Sequence, residues 1–584
     1  LKKAIELQPD YAEAYNNLGN VYKEMEEYNQ AISVYEKAIE LNPEYYEAYN
    51  NLGVALGKNE QYEEAEKVLK QVIKLQPDFV EALNNLGSML TGMEKYEEAK
   101  AILNRSIEIH SSNAEVLSNL GDIYRKLNEH EKAIEQYRKA IQIKPNYYEA
   151  LNSMGLALTK LKKYSEAKKI LKQAIKVNPK FAEAYNNLGN VYRKNQDFHR
   201  AISYYRKVLS IDEKLAGVHN NLGNVLSLVG DNINSIYHQK IAVALDTNSV
   251  AFLQSLLFYI NYSPDMRAEE IFDYYKQFDQ RFGLPHKDKW KPFAQPKVPK
   301  NKLKIGYVSP DFRNHTMGPF LSCILSCHNH EKFEIFAFAE LQNEDKVSQE
   351  YKSLVDHWIR TDGMNDDELV QKVRDMGIDI LVDLAGHTLG NRLKVFAQKP
   401  APVSLSWFIG YNYTTGLSAI DYFLTDKVMA PKGSEHLFLE KLWRLDRYAA
   451  AWNPHKNKMG QISSLPALSK GFITFGSISA VFLRLTDPFI QVWSQILRKV
   501  KDSKLIINCM SFNDEIVINE FKQKCAHQGI SSDRLVFCYD SPPWDSMRQI
   551  DIALDCFPHN SGTTLIEHLY MGNPFITYSN RPSV

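Results

Sequence analysis

Cysteine is scarce in this chain: six among 584 residues, all in the second half (Cys323, Cys327, Cys509, Cys525, Cys538 and Cys556), none as C-x-x-C. That excludes a disulfide-built fold and leaves buried thiols in a reducing compartment as the expectation, with a cytoplasmic location. An excess of charge is lacking too. The 70 basic residues match 70 acidic ones, so bulk electrostatics draws in neither nucleic acid nor an anionic membrane. No apolar run reaches about 18 residues, so no membrane span is expected. No D-x-D triplet or His/Cys cluster at metal-ligand spacing stands out, and no metal is expected. The chain opens at Leu1 inside a helical pattern without an initiating methionine, and a missing N-terminus is expected.

What is present first is a period. Gly19, Gly53, Gly87, Gly121, Gly155, Gly189 and Gly223 stand 34 residues apart, each in an echo of N-N-L-G-N-V-Y. A fixed period of this length means stacked helix-turn-helix units. One unit runs from about 12 to 45: Tyr22, Ala31, Tyr35 and Ala38 follow the glycine and Pro43 closes it. Small Gly and Ala let helices approach, Tyr fills between them, and Pro ends the second helix. Pro9, Pro77, Pro145 and Pro179 keep the grid, with Ser111 and Glu213 in place of proline. The array resembles the tetratricopeptide repeat, with seven units to about 249 and a degenerate last one.

Two residues before each glycine the side chain is polar: Asn17, Asn51, Asn85, Asn119, Ser153, Asn187 and Asn221. In the tetratricopeptide family this position faces the inner groove. An amide carries donor and acceptor together, so such a row can grip an extended peptide by its backbone. The alternative is that these amides satisfy inter-repeat turns.

Residues 250–300 read as a helical linker ending in a Pro- and Lys-rich stretch. Beyond it, β-rich runs alternate with helical segments: 304–308, 333–339, 378–384 and 403–408, then 472–475, 505–508, 535–538, 552–554 and 575–578. Alternation of this kind predicts parallel α/β sheets. The two series predict a first lobe over 301–435, an inter-lobe segment over 436–467 and a second lobe over 468–584, with a ligand cleft between them.

The most specific segment runs Asp551-Ile-Ala-Leu-Asp555-Cys-Phe-Pro-His559-Asn-Ser-Gly562-Thr563-Thr564-Leu-Ile-Glu567. A strand ends in a small polar loop and a helix begins near the threonines. Free N–H groups and the positive end of the helix dipole would then seat a diphosphate, with Glu567 placed to accept from sugar hydroxyls. Thr564-x-x-Glu567 equally reads as a capping box.

This segment looks like the nucleotide-sugar site of the tetratricopeptide-containing O-linked N-acetylglucosamine transferase family, including its plant O-fucosyltransferase and bacterial branches. Gly306-Tyr-Val-Ser-Pro-Asp311-Phe-Arg-Asn-His315, Asp383-Leu-Ala-Gly386-His387-Thr388, Pro400-Ala-Pro402, Gly410-Tyr411 with Thr414-Thr415-Gly416, and Phe475-Gly476-Ser477 look like the family's other signatures, in order. The resemblance implies an α-solenoid of tetratricopeptide repeats followed by an α/β GT-B type two-lobed glycosyltransferase. It implies inverting, metal-independent transfer of N-acetylglucosamine from UDP-GlcNAc to Ser or Thr of proteins held by the repeats. Such chemistry needs charge neutralisation on the departing diphosphate, an oriented acceptor hydroxyl and a route for its proton. Arg484 falls where the family commonly has a Lys on the β-phosphate, and Arg offers two parallel donors. His315 aligns with the family's cleft histidine, read here as positioning the acceptor. His387, Thr388, Thr414 and Thr415 are expected to line the cleft. Arg392 is expected to pair within the fold, and Asp311 either orients His315 or caps the next turn.

Three departures qualify the likeness. Gly562 stands where the animal enzymes have His, and Phe557-Pro558 resembles the fucosyl and bacterial branches. Asn412-Tyr413 replaces Pro-Gly. The chain ends at Arg581-Pro-Ser-Val584 inside a family motif, so an incomplete second lobe is expected. The alternatives are a protein O-fucosyltransferase using GDP-fucose and a peptide-binding scaffold with an inactive transferase half.

Overall fold

The computed structural model describes residues 1–293, 301–407, 413–447, 449, 451–453, 462, 464–479 and 482–578. Gly410, Tyr411, Asn412 and the terminal Arg581–Val584 motif lie outside the described residues. The chain divides into two compact units, Leu1–Glu213 and the part from Lys214 onward.

In the first unit, 13-residue helices alternate with 14-residue helices: Ala12–Glu24 with Tyr28–Leu41, Tyr46–Lys58 with Tyr62–Leu75, and so on to Phe198–Ile211. The glycine period has a steric cause. A Cβ on Gly87 would lie 2.3 Å from Leu103 Cδ2, and one on Gly121 would lie 2.7 Å from Tyr137 Cε1. The partner sixteen residues on is Tyr or Leu, and the residue after the glycine matches it. Tyr35, Tyr137 and Tyr205 donate their hydroxyls to Asn20, Asp122 and Asn190, each at 2.8 Å. Where the partner is Leu69, Leu103 or Leu171, that residue is Val54, Ser88 or Leu156. Gly87→Ala should therefore destabilise the unit by about 1–3 kcal/mol, the usual range for overpacking. Thermal melting measures it, and an unchanged midpoint would refute the close-packing account.

The turn inside each pair needs left-handed backbone. Glu26, Glu60, Glu94, Asn128, Lys162 and Gln196 hold φ between 59° and 62°, again 34 apart. Side chains there carry a penalty of roughly 1 kcal/mol that glycine avoids, and the equivalent Gly230 does avoid it.

The amide row makes inter-repeat bonds. Asn51, Asn85, Asn119 and Asn187 each donate Nδ2 to Oδ1 of Asn16, Asn50, Asn84 and Asn152 at 2.7–3.0 Å. Asn17 is exposed. Asn50, Asn51, Asn84 and Asn85 line one concavity with Glu81 and Lys144.

The second unit starts with the seventh helix pair, Ala216–Leu228 and Asn232–Leu245, so the division at 213 differs from the repeat boundary near 249. The segment read as a linker is part of a core. Helix Val250–Ile260 and helix Ala268–Phe278 bury Leu253, Leu256, Leu257, Ile260, Ile271, Tyr275 and Phe278 in one cluster with Val308, Phe338 and Leu381. The spacing i, i+3, i+4, i+7 of the first four is the buried face of a helix.

Two wholly parallel sheets follow. The first contains β1 (Leu303–Ser309), β2 (Phe333–Ala339), β3 (His357–Arg360), β4 (Ile380–Asp383), β5 (Val403–Ser406), β6 (Tyr422–Asp426) and β7 (Lys441–Leu445), in the order 3-2-1-4-5-6-7. The second contains β8 (Thr474–Ile478), β9 (Lys504–Asn508), β10 (Leu535–Cys538), β11 (Ile552–Leu554) and β12 (Phe575–Ile576), in the order 10-9-8-11-12. Strands β3 and β7 carry only two-residue apolar runs: in His357-Trp-Ile-Arg360 only Ile359 is buried. Because β7 completes the first sheet, the stretch read as inter-lobe from 436 begins inside the first lobe.

Three thiols are buried (Cys509, Cys525 and Cys556), whereas Cys323 and Cys538 are half-buried and Cys327 is exposed. The exposed position corrects the expectation of six buried thiols: Cys327 follows helix Gly318–Leu325 rather than lying within it. No helix among the described residues is long and apolar enough to cross a membrane.

Candidate active site

In an open parallel sheet, ligands bind beyond the carboxyl ends of strands where the strand order reverses. The reversal lies between β1 and β4 in the first sheet and between β8 and β11 in the second. Nearly every sequence-derived candidate follows one of these four strands: His315 after β1, His387 and Thr388 after β4, Arg484 after β8, and Gly562, Thr563, Thr564 and Glu567 after β11. Thr414 and Thr415 follow β5.

The loop after β11 is built on Asp555. This buried carboxylate accepts from Cys556 N (2.9 Å), Ser561 N (2.9 Å), Asn560 Nδ2 (2.8 Å) and Thr577 Oγ1 (2.6 Å). Ser561, so fixed, accepts from Arg484 Nη1 at 3.0 Å. The guanidinium also sits over the Tyr262 ring, 6.0 Å from its centroid, a contact open to a cation on an aromatic face. The arginine is thereby held at the mouth of the Gly562 loop.

The helix that follows spans Thr563–Tyr570 with Gly562 at its N-cap, and no side chain caps it. Thr564 lies within the first turn, so the Thr564–Glu567 capping box is not made. The leading N–H groups are left for a ligand, with the helix dipole behind them. Gly562 is exposed and both threonines are half-buried. Glu567 is on the same helix, and burial pushes its carboxyl up to about 7, opposed by the Trp544 indole. The folded state therefore holds the Glu567 proton more tightly than the unfolded chain, whose value is near 4.5. That contribution to stability is full below 4.5 and is lost as the pH rises through 7. Glu567→Gln should be more stable than the parent by about 1–3 kcal/mol at pH 8 and equal to it near pH 4. Urea unfolding at both pH values checks this; a gap at pH 4 as large as that at pH 8 contradicts it.

His315 lies on the loop after β1, about one-third exposed, with Nδ1 3.5 Å from Asp311 Oδ2. The backbone N–H of Met317 approaches the same nitrogen at 3.4 Å. Burial lowers the imidazole pKa, against the pull of Asp311, and raises that of Asp311. Desolvation outweighs the pair attraction here, so the ring is neutral near pH 7. Ile566 of the helix after Gly562 packs against the first-lobe cluster containing Phe312 and Met317, which brings the His315 loop and the Gly562 helix together.

The cleft floor is organised differently from the sequence reading. Thr388 Oγ1 donates to Ala385 O at 2.7 Å. Thr414 and Thr415 are buried, and both hydroxyls donate to Glu440, that of Thr414 at 2.5 Å. Thr415 N also donates to Glu440, at 2.7 Å. The three hydroxyls thus serve the loops rather than pointing free into the cleft. His387 Nε2 lies 2.7 Å from Thr415 O, with its ring edge-on to Phe278 and Tyr275. Burial lowers its pKa to about 4. Arg392 pairs within the fold as expected, to Glu340 (2.8 Å) and Asp366 (3.0 Å). Sequence reasoning missed Glu440, Asn261 and Tyr262. The available signals were a lone carboxylate in the apolar run Leu437-Phe-Leu-Glu440 and a polar Asn261-Tyr262 ending an apolar helix.

The model of glycosyl transferase family 41 matches residues 278–453, and tetratricopeptide repeat models match 12–45, 34–67, 55–99, 78–146 and 182–215. The chain thus matches tetratricopeptide repeat models ahead of a match to the family 41 glycosyl transferase model. The chain is similar to an Arabidopsis thaliana protein named "Probable UDP-N-acetylglucosamine--peptide N-acetylglucosaminyltransferase SPINDLY", 31% identical over 57% of this chain and 37% of the relative. A Caenorhabditis elegans UDP-N-acetylglucosamine–peptide N-acetylglucosaminyltransferase is 28% identical over 38% of this chain and 17% of its own length. The chain thus spans little more than a third of the first of these relatives and less than a fifth of the second. An O-GlcNAc transferase mutant from Thermobaculum terrenum superimposes with a TM-score of 0.67 at 27% identity, over 75% of this chain and 83% of that one. The two parallel sheets are accordingly the lobes of a GT-B type architecture.

Proposed function

We propose that this chain transfers N-acetylglucosamine from UDP-GlcNAc, with inversion, to Ser or Thr hydroxyls of proteins held by its repeats. One observation carries the reading: Arg484, fixed by Ser561 over Tyr262, stands beside an uncapped helix amino terminus at Gly562–Thr564. A guanidinium and a helix N-terminus together suit a diphosphate leaving group. In this reading they neutralise it without a divalent metal, and neutral His315 positions the acceptor hydroxyl. The names of the relatives support the choice of sugar. The test is titration with UDP-GlcNAc and GDP-fucose, then peptide transfer followed by mass in EDTA. Binding of UDP-GlcNAc with a gain of one N-acetylhexosamine supports the reading. Binding of GDP-fucose alone would make it a fucosyltransferase, and binding of neither would leave a peptide-binding scaffold.

The repeats enter as the acceptor arm. Each bonded amide of the Asn row donates one N–H to the preceding repeat and retains its carbonyl oxygen and a second N–H, which a peptide backbone can use. The inter-repeat bond then serves to hold the amide in place. Replacing both Asn85 and Asn119 by Ala should raise KM for long acceptors about thirtyfold, given roughly 1 kcal/mol per lost hydrogen bond and one bond lost at each position, and spare short peptides. Equal effects on both lengths would remove the row from substrate binding.

A further inference from the structure

Behind the loop Tyr413–Thr415 lies a small cavity walled by Phe258, Asn261, Tyr275, His387 and Tyr413. Two of its polar groups have their chemistry fixed from behind. Asn261 Nδ2 donates to Leu257 O (2.6 Å) and to Tyr275 Oη (2.9 Å), which sets the amide orientation and leaves Oδ1 as an acceptor. His387 Nε2 faces the Thr415 carbonyl, which can only accept, so the proton is on Nε2 and Nδ1 presents a lone pair. Both Asn261 Oδ1 and His387 Nδ1 are buried without a hydrogen-bond partner among the described residues. Glu440 is the reason the Thr415 carbonyl stands where it does. It takes the N–H and hydroxyl of Thr415 and the hydroxyl of Thr414, so the loop cannot rotate without breaking all three bonds.

Two buried acceptors beside a cavity of about 20 Å³, room for one hydroxyl-sized group, call for a donor there. The pocket's location narrows which ligand. It opens beyond the carboxyl ends of β4 and β5, and the Tyr413 ring stacks on His559 at 6.1 Å, three residues before Gly562. A group attached to a diphosphate seated at Gly562–Thr564 is therefore the neighbour of this cavity. We propose that the cavity is the subsite for a hydrogen-bond-donating group, hydroxyl or amide N–H, of the transferred sugar, accepted by His387 Nδ1 and Asn261 Oδ1, with Glu440 as the positioning residue that keeps His387 in its acceptor tautomer. This rests on the nucleotide-sugar reading above and assigns the part of the donor that this pocket takes.

The test compares UDP with UDP-GlcNAc, because only the second carries the sugar. Calorimetric titration of the full chain and of His387→Ala and Glu440→Gln should show UDP-GlcNAc affinity falling at least tenfold, with UDP affinity within twofold of the parent. Glutamine at 440 replaces an acceptor with an N–H that opposes the Thr415 N–H, so it should share the selective loss. Losses equal for the two ligands, or none, overturn the proposal. Should a variant fail to fold, 15N spectra of histidine-labelled parent protein decide: His387 Nδ1 should be unprotonated and should shift with UDP-GlcNAc but not with UDP. A protonated Nδ1, or one unmoved by UDP-GlcNAc, overturns it equally. A parent that binds neither nucleotide instead overturns the transferase reading itself.

Discussion

His315→Ala is expected to lower kcat by about 10²–10⁴-fold, the range for a group that handles a proton or orients a nucleophile in the transition state, while nucleotide affinity stays within a few-fold. The argument is geometric. His315 is on the loop after β1, at the strand-order reversal of the first sheet, and Ile566 brings the helix after Gly562 against that lobe's core. Its ring is neutral because desolvation outweighs the attraction of Asp311. Positioning and base catalysis then separate by pH. A base loses activity as it protonates, so it would place the acid limb of kcat below the ordinary 6.5 of histidine, in the direction of its shift. A positioning group need show no such limb. Rapid-quench turnover over pH 5–8 for parent and variant measures both quantities, and unchanged turnover in the variant would remove His315 from the site.

Arg484→Ala should weaken UDP binding by about 10–100-fold, corresponding to the loss of a charge-assisted hydrogen bond worth roughly 1.5–3 kcal/mol. Lysine at this position should recover part of the loss, since it restores the charge but not the planar fork. The folded structure offers an internal control. Arg484 Nη1 donates to Ser561 Oγ at 3.0 Å, and the melting temperature of the variant, measured beside its UDP affinity, separates a binding role from a structural one. A variant that melts early and binds UDP normally would make Arg484 a structural residue.

The period of 34 was legible because it is imposed by contacts within a repeat. A glycine is needed wherever a Tyr or Leu sixteen residues later crosses the helix, and sixteen residues is within the reach of a pattern. Gly562-Thr563-Thr564 was legible for a similar reason: strand, loop and helix start are consecutive. The Thr414-Thr415 pair shows the opposite case. The hydroxyls read as cleft ligands, yet Glu440, 25 residues on in an apolar run, takes both. Strands β3 and β7 escaped because polar residues flank apolar runs of only two residues, and β7 moved the lobe boundary with it. The helices over 250–278 looked like a spacer by position and proved to be core, because Leu253, Leu256, Leu257 and Ile260 share a cluster with the first sheet.

The sequence alone thus determined the repeat array, the two α/β lobes and the chemistry-bearing loop at Gly562, since each is written in local spacing and in consecutive residues. Which polar groups remain for a ligand was decided only by tertiary structure. A hydroxyl, amide or imidazole is available or engaged according to what the fold places within 3 Å of it. Glu440 with the Thr414-Thr415 pair, and Asn261 with Tyr275, are brought to that distance by pairings the chain order does not reveal.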